Sequence, residues 1–270
     1  MKRIIALALV AIMMIAMLAS CSAKSYSDLA IVDLGLEKEY FGIAFRTGSD
    51  MTRKVEDITL ELIKEGKLAE WSTKYEVGAM GESEYVPAAA ANEGAGDWDY
   101  IKGKGKLVVG VTVYKPMDYQ DEKGEWIGFD ADYARAVAEK LGVDVEFKKI
   151  EWDYKLIALE SKDIDCIWNG MTITDDIEAA ADCTVPYMYN TQVAVVKKEN
   201  ADKYKAIADF AGKTIAVEDG SAGADVVKNN DTLKDGYKGV TAQVDALMEV
   251  LTGASDAAVV DLTLAKALIK

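Results

Sequence analysis

The groups in this chain whose placement could do chemistry are a carboxylate between a strand and a helix, hydroxyls beyond a strand end, and a glycine-rich turn. Asp261 follows the apolar run 257–260 and opens a helical pattern over 261–270. Its carboxylate is therefore read either as an anion aimed into a cleft or as a helix N-cap, a position Asp favours. Thr172 and Thr174 follow a short apolar strand over 164–168 that is expected to stop in a turn at Asn169-Gly170. They precede Asp175-Asp176, which open an Ala-rich helical run. Hydroxyls and a helix N-terminus just beyond a strand end are where open α/β sheets bind small ligands. Gly220-Ser221-Ala222-Gly223 joins a strand at 214–217 to a helix at 224–229, so its N–H groups suit a carboxylate, although a tight turn needs the same glycines without any ligand. No Lys followed by Ser or Thr comes after it to make a phosphate loop. In the segment GKGKLVVG the glycines precede the strand, the wrong order for a dinucleotide fingerprint.

Composition removes several chemistries. The chain has no His, so imidazole catalysis and imidazole metal ligation are excluded, and its three Cys form no C-x-x-C pair that would suggest structural zinc. No metal, cofactor or catalytic residue is expected. A formal charge of −15, from 46 acidic and 31 basic residues, argues against nucleic acid, which needs a concentrated basic surface. Cys166 and Cys183 flank the threonine motif; outside the cytoplasm they could form a disulfide, and otherwise they are two small buried hydrophobes.

The elements that must position these groups alternate in type. At 270 residues, half of them hydrophobic, the chain can bury two cores. Strands are expected over 29–34, 40–45, 107–113, 143–147, 192–197, 214–217 and 257–260, and helices over 52–75 with a break near Gly66, 131–141, 155–160 and 243–251. That alternation implies an α/β fold with a mainly parallel sheet and covering helices. Met1-Lys2-Arg3, the apolar run 4–19 and the small residues before Cys21 read as an export signal, too short for an ordinary membrane span. Residues 78–97 have no sustained hydrophobic period and read as a flexible linker, able to span on the order of 25 Å.

The stretch DIDCIWNGMTITDDIEAAADCTVPYMYNTQV, residues 163–193, resembles the D-x-I-x-x-G-M-T-I-T … D-x-x-x-P-Y signature of family 3 bacterial solute-binding proteins, the polar amino-acid receptors of ABC transporters. Residues 24–77 resemble the carboxyl-terminal end of that family, and its usual beginning appears at Lys106. The resemblance therefore implies a two-lobed periplasmic-binding-protein type II fold in circularly permuted order. One lobe would be 98–190 with 36–77 and the other 191–270 with 25–35, hinged near 187–190 and 33–40, with 78–97 joining the family's last helix to its first strand. Leu18-Ala19-Ser20-Cys21 resembles a lipobox, which makes 1–21 a lipoprotein signal peptide and Cys21 the lipid-modified residue of an exported, membrane-anchored protein.

The resemblance further implies an extracytoplasmic protein, not an enzyme, that captures a small zwitterion such as an amino acid for an ABC permease. Asp261 would receive the ligand's α-ammonium group. Tyr114 and Trp152 match positions where the family sets aromatic rings against the ligand's side chain, although aromatics at strand ends otherwise read as core. Asn169, Gly170, Thr172 and Ser221 complete the implied ligand-binding set, while Trp168 alternates with Cys166 toward a lobe interior without an assigned role. Ile177 stands where the family carries an Arg that forks onto the α-carboxylate, and an alkyl chain cannot replace a guanidinium. An enzyme on the same scaffold, similar to cyclohexadienyl dehydratase, and a ligand-sensing ectodomain are the alternatives.

Overall fold

The computed structural model describes residues 25–87 and 96–270. The export signal and Cys21 lie outside the described residues. In chain order the elements are β1 (Leu29–Val32), β2 (Glu39–Arg46), α1 (Met51–Lys64), α2 (Lys67–Tyr75), α3 (Asp97–Lys104), β3 (Lys106–Val111), the hairpin β4 (Tyr119–Gln120) and β5 (Trp126–Ile127), α4 (Phe129–Leu141), β6 (Asp144–Lys149), α5 (Lys155–Glu160), β7 (Cys166–Thr172), α6 (Asp175–Ala180), β8 (Ala181–Cys183) and β9 (Met188–Asn190). There follow β10 (Gln192–Lys197), β11 (Ile215–Glu218), α7 (Ala222–Lys228), β12 (Tyr237–Val240), α8 (Gln243–Thr252), β13 (Ala257–Asp261) and α9 (Leu262–Leu268).

Apart from the β4–β5 hairpin, these strands form two sheets, one in each lobe. The first has the order β6-β3-β7-β2-β8, with β9 also paired to β2; the second has the order β1-β10-β13-β11-β12. In the second sheet the alternation of side chains decides the sequence. Val193 and Val195 of β10 and Ala258 and Val260 of β13 pack in one cluster with Ala246, Leu247 and Val250 of α8. Their neighbours Ala194, Val196, Ala257 and Val259 pack in another with Ala224 and Val227 of α7. A strand covered on both faces must be apolar at every position, which is why these strands read as continuous hydrophobic runs.

The chain passes between sheets twice, over 33–38 between β1 and β2 and at Thr191 between β9 and β10. The two passages are tied together, since the Thr191 hydroxyl donates to the carbonyl of Glu37 at 3.1 Å. β1 pairs antiparallel with β10, Leu29 opposite Lys197 and Val32 opposite Ala194, so the earliest described strand belongs to the sheet of residues 192–261.

Three expectations meet corrections. The strand expected to end at Asn169-Gly170 continues to Thr172, because the pairing of β7 with β2 is irregular there: Met171 faces Gly42 and Ile167 faces Ala44. Three residues of β7 thus bulge opposite Ile43, and Gly170 accommodates the kink at φ 55°. Of the expected linker, 78–87 and 96–97 are described, and the first of these is anchored at two points: Met80 N–H donates to the Tyr187 carbonyl at 2.8 Å, and Tyr85 is buried. Two anchors without a period hold that segment, and periodicity alone does not reveal them. Finally, Cys166 and Cys183 are free thiols. They sit on β7 and β8 with β2 between them, and two strand spacings, roughly 9.5 Å, exceed the reach of a disulfide. Burial pushes the Cys183 thiol up to about 12 and Cys166 well above its ordinary value, as expected of inert buried sulfur.

Candidate ligand-binding cavity

The carboxyl ends of β7, β11 and β13 converge on a cavity of about 240 Å³ between the lobes. Tyr114, Trp152, Asn169, Gly170, Thr172, Ser221 and Asp261 all line it, so the structure brings the seven residues singled out from the sequence to one place. Lys155 Nζ spans the gap between lobes, donating to the Gly220 carbonyl at 2.8 Å. Gly220 itself has φ +70°, and a Cβ built there would lie 2.8 Å from Asp153 Cα. Only a residue without a side chain lets the lobes come this close.

Asp261 occupies the N-cap position of α9 but makes no side-chain cap bond. Its carboxylate instead accepts from the side-chain amides of Gln192, at 2.6 Å, Asn190 and Gln243, and the Gln243 carbonyl oxygen takes the Asp261 N–H at 2.9 Å. All three donors are neutral. Burial raises the Asp261 carboxyl above its ordinary value, while the amide hydrogen bonds favour the ionised form. A 5 % exposed carboxylate with amides around it and, among the described residues, no cation against it is suited to receive one.

Two further carboxyl groups surround this point. Glu39, at the start of β2, accepts from Gln192 at 2.9 Å, Asn190 at 3.2 Å and Thr172 at 3.3 Å, and is held up to about 7 by burial and then by the charge of Asp261. Glu218, the last residue of β11, is 3 % exposed and held up to about 8 for the same two reasons in the same order. One of its oxygens, Oε1, has no hydrogen-bond partner. The buried Tyr114 hydroxyl also lacks a partner of ordinary geometry, although it lies near enough to Asp261 to feel its charge.

The other anticipated residues face the scaffold more than the cavity. Asn169 accepts from the Thr112 N–H at 2.9 Å and its hydroxyl at 2.7 Å, and donates to Asp118 at 2.8 Å. Gly170 N–H donates to buried Asp130 at 2.6 Å, and a Cβ at Gly170 would stand 2.6 Å from the Tyr114 ring. Asn169 and Gly170 therefore shape the cavity and seat the aromatic ring. Ser221 caps α7, its hydroxyl oxygen accepting from Ala224 N–H at 3.1 Å, and Thr174 caps α6 through Ile177 N–H at 3.3 Å. Trp152 lies under the Lys155 ammonium, 5.0 Å from ring centroid to Nζ. Trp168 is wholly buried in the first lobe, edge-on to Tyr133 with centroids 4.6 Å apart.

Sequence reasoning missed Glu39, Lys155, Gln192, Glu218 and Gln243. Two of these had a signal: Gln192 and Glu218 are the polar ends of otherwise apolar strands, at the edge where such sheets bind. Among the described residues no group of His, Cys, Asp or Glu is arranged to hold a metal ion.

The family profile described as bacterial extracellular solute-binding proteins, family 3, matches residues 107–265. The L-cystine-binding protein TcyJ of Escherichia coli (strain K12) is 36% identical over 118 residues, 43% of this chain and 44% of that protein. The arginine-binding extracellular protein ArtP of Bacillus subtilis (strain 168) is 33% identical over 120 residues, 44% of this chain and 46% of that protein. The chain thus spans less than half the length of these curated relatives. Among solved structures, holo ArgBP from T. maritima is similar with a TM-score of 0.59 and 35% identity over 63% of this chain and 74% of that one. The ancestral amino acid-binding protein AncCDT-1, a precursor of cyclohexadienyl dehydratase, has a TM-score of 0.58 and 36% identity over 61% of this chain and 73% of its own.

Proposed function

As the chain belongs to the bacterial extracellular solute-binding proteins of family 3, we propose that it is the solute-binding component of an ABC importer, closing two lobes on a small amine-bearing solute of amino-acid size and presenting it to a membrane permease. Asp261 carries this reading: a buried carboxylate with neutral donors and, among the described residues, no cation against it, on a cavity lined from both sheets. Relatives named for cystine and arginine support the class of solute. The passages at 33–38 and Thr191 are the hinge, and tying them through Thr191 makes the lobes turn about one axis. Purified protein titrated calorimetrically with amino acids and simple amines should show saturable one-to-one binding with a rise in melting temperature. Failure of every such solute to bind would overturn the proposal. Binding without catalysis predicts that the bound solute is recovered chemically unchanged.

Residues 25–77 stand, in this reading, for the family's carboxyl-terminal end in rotated order. The antiparallel pairing of β1 with β10, and a family match that begins only at residue 107, support it. A chain in which 25–77 is moved to follow 270 should fold and bind alike; loss of folding would refute the rotation.

Export with a lipid on Cys21 completes the proposal. The family is extracellular, and among the described residues no helix is long and apolar enough to cross a membrane. Cys21→Ser should release the protein from membranes, and unchanged fractionation would refute the anchor.

A further inference from the structure

Resting on that solute-binding reading, we propose that the cleft is built for a small organic cation, an alkylamine or guanidine of amino-acid size, and gives a carboxylate on it no free cationic partner. Five carboxyl groups line the cavity, from Asp153, Asp176, Glu218, Asp225 and Asp261, against one ammonium, Lys155. Asp261 and Glu218 are buried while the three others lie exposed at the rim, so acidity runs from the mouth to the floor. The unpartnered, buried Oε1 of Glu218 is an acceptor waiting for a donor.

A ligand carboxylate needs donors, and the amides of the cavity are already engaged, which leaves it only the uncharged hydroxyls of Tyr114, Thr174 and Ser221. The Gln192 and Gln243 amides serve Asp261, the Asn169 amide serves Asp118, and the Gly170 N–H serves Asp130. The Thr172 hydroxyl reaches Glu39. Lys155 donates to the Gly220 carbonyl and, at 3.4 Å, to that of Trp152, and the charges of Glu218, Asp153 and Asp225 act on it. The first turns of α6 and α7, whose N–H groups would favour an anion, instead carry Asp176 and Asp225. Ile177, where a guanidinium would fork onto a carboxylate, packs with Trp152 and Met171 in an apolar cluster.

The electrostatics support the same reading. Glu218, faced by Asp261, Asp245, Lys155 and Gln243, keeps its proton up to about pH 8 in the empty cleft, so a bound cation must displace that proton at neutral pH. Affinity should therefore rise with pH toward 8.

Matched pairs differing only by a carboxylate test this: arginine against agmatine and lysine against cadaverine, with alanine and glutamine as neutral controls, by calorimetry on the full chain in two buffers of different ionisation enthalpy. The expected result is that agmatine and cadaverine bind at least as tightly as arginine and lysine, with proton release at about pH 8 that Glu218→Gln lowers while weakening agmatine about tenfold or more. A melting curve for that variant confirms that it folds, and Ile177→Arg should weaken agmatine independently. The inference is overturned if arginine or lysine binds tenfold more tightly than its decarboxylated partner, above all if Lys155→Met erases that preference. Binding of amino acids but not amines likewise overturns the inference while leaving the solute-binding reading intact; binding of neither class overturns both.

Discussion

Two buried polar regions of this molecule treat charge in opposite ways. In the first lobe Arg46 forks onto Asp97 with Nε 3.0 Å from both carboxylate oxygens, and its Nη2 lies 3.5 Å from Asp165. Asp165, wholly buried, also takes Lys104 at 2.6 Å and the Val108 N–H at 2.7 Å. Every carboxylate there has a cation, and the cluster fastens α3 and β3 to β2 and β7. Between the lobes, Asp261, Glu39 and Glu218 are surrounded by amides and one another, with a single lysine nearby. A neutralised cluster is finished when the chain folds, whereas an unneutralised one keeps its free energy for a ligand.

The contrast gives four measurable consequences. The largest is in the finished cluster: Asp165→Asn leaves half-buried Lys104 and part of Arg46 without compensation, and should cost about 3 kcal/mol of folding stability in denaturant titration. A loss under 1 kcal/mol would mean that the ion pairs are incidental. Next, Asp261→Asn removes a charge-assisted bond and sets an amide donor against three others, so an amine should bind at least about tenfold more weakly, about 1.5–3 kcal/mol. Unchanged affinity by calorimetry would move the ammonium seat elsewhere.

Third, Glu218→Gln should stabilise the unliganded protein, the reverse of the effect at Asp165. The folded pKa of about 8 lies above the ordinary 4.5, so the cost of an ionised Glu218 is absent below about pH 4.5, grows as pH rises and is complete above 8. The variant should gain on the order of 1–2 kcal/mol at pH 8 and nothing near pH 4. A pH-independent difference between the two melting profiles would exclude this origin. Smallest, Ser221→Ala removes a helix cap and should cost about 1 kcal/mol of stability while leaving amine affinity within about twofold.

What the sequence disclosed follows from what depends on neighbours along the chain. Asp261 and the Thr172 stretch were legible because each ends a strand next to a helix start, and sheet edges of that kind collect ligands. The engagement of the Asp261 carboxylate was not, since it depends on Gln243, eighteen residues back, on Gln192 across the sheet and on Asn190 from the other sheet. Nothing local decides whether such an Asp caps its helix or turns away from it. The bulge at Gly170 was likewise hidden, because a strand end and a kinked strand use the same Asn-Gly pair, and only the close approach of Tyr114 distinguishes them. Lys155 read simply as the first residue of a helix; that it reaches the opposite lobe depends on how the lobes face one another.

The bare backbone of Gly220 facing Asp153 has a thermodynamic consequence for capture. A receptor that closes around its cargo has an apparent affinity equal to the intrinsic one multiplied by the fraction of molecules able to shut. In the proposed solute-binding role, a methyl group at position 220 would meet Asp153 Cα at 2.8 Å and act as a wedge, lowering that fraction without altering Asp261 or Glu218. On the proposed function, position 220 is thus a dial for retention, setting how long a captured molecule stays while leaving unchanged which molecule is chosen.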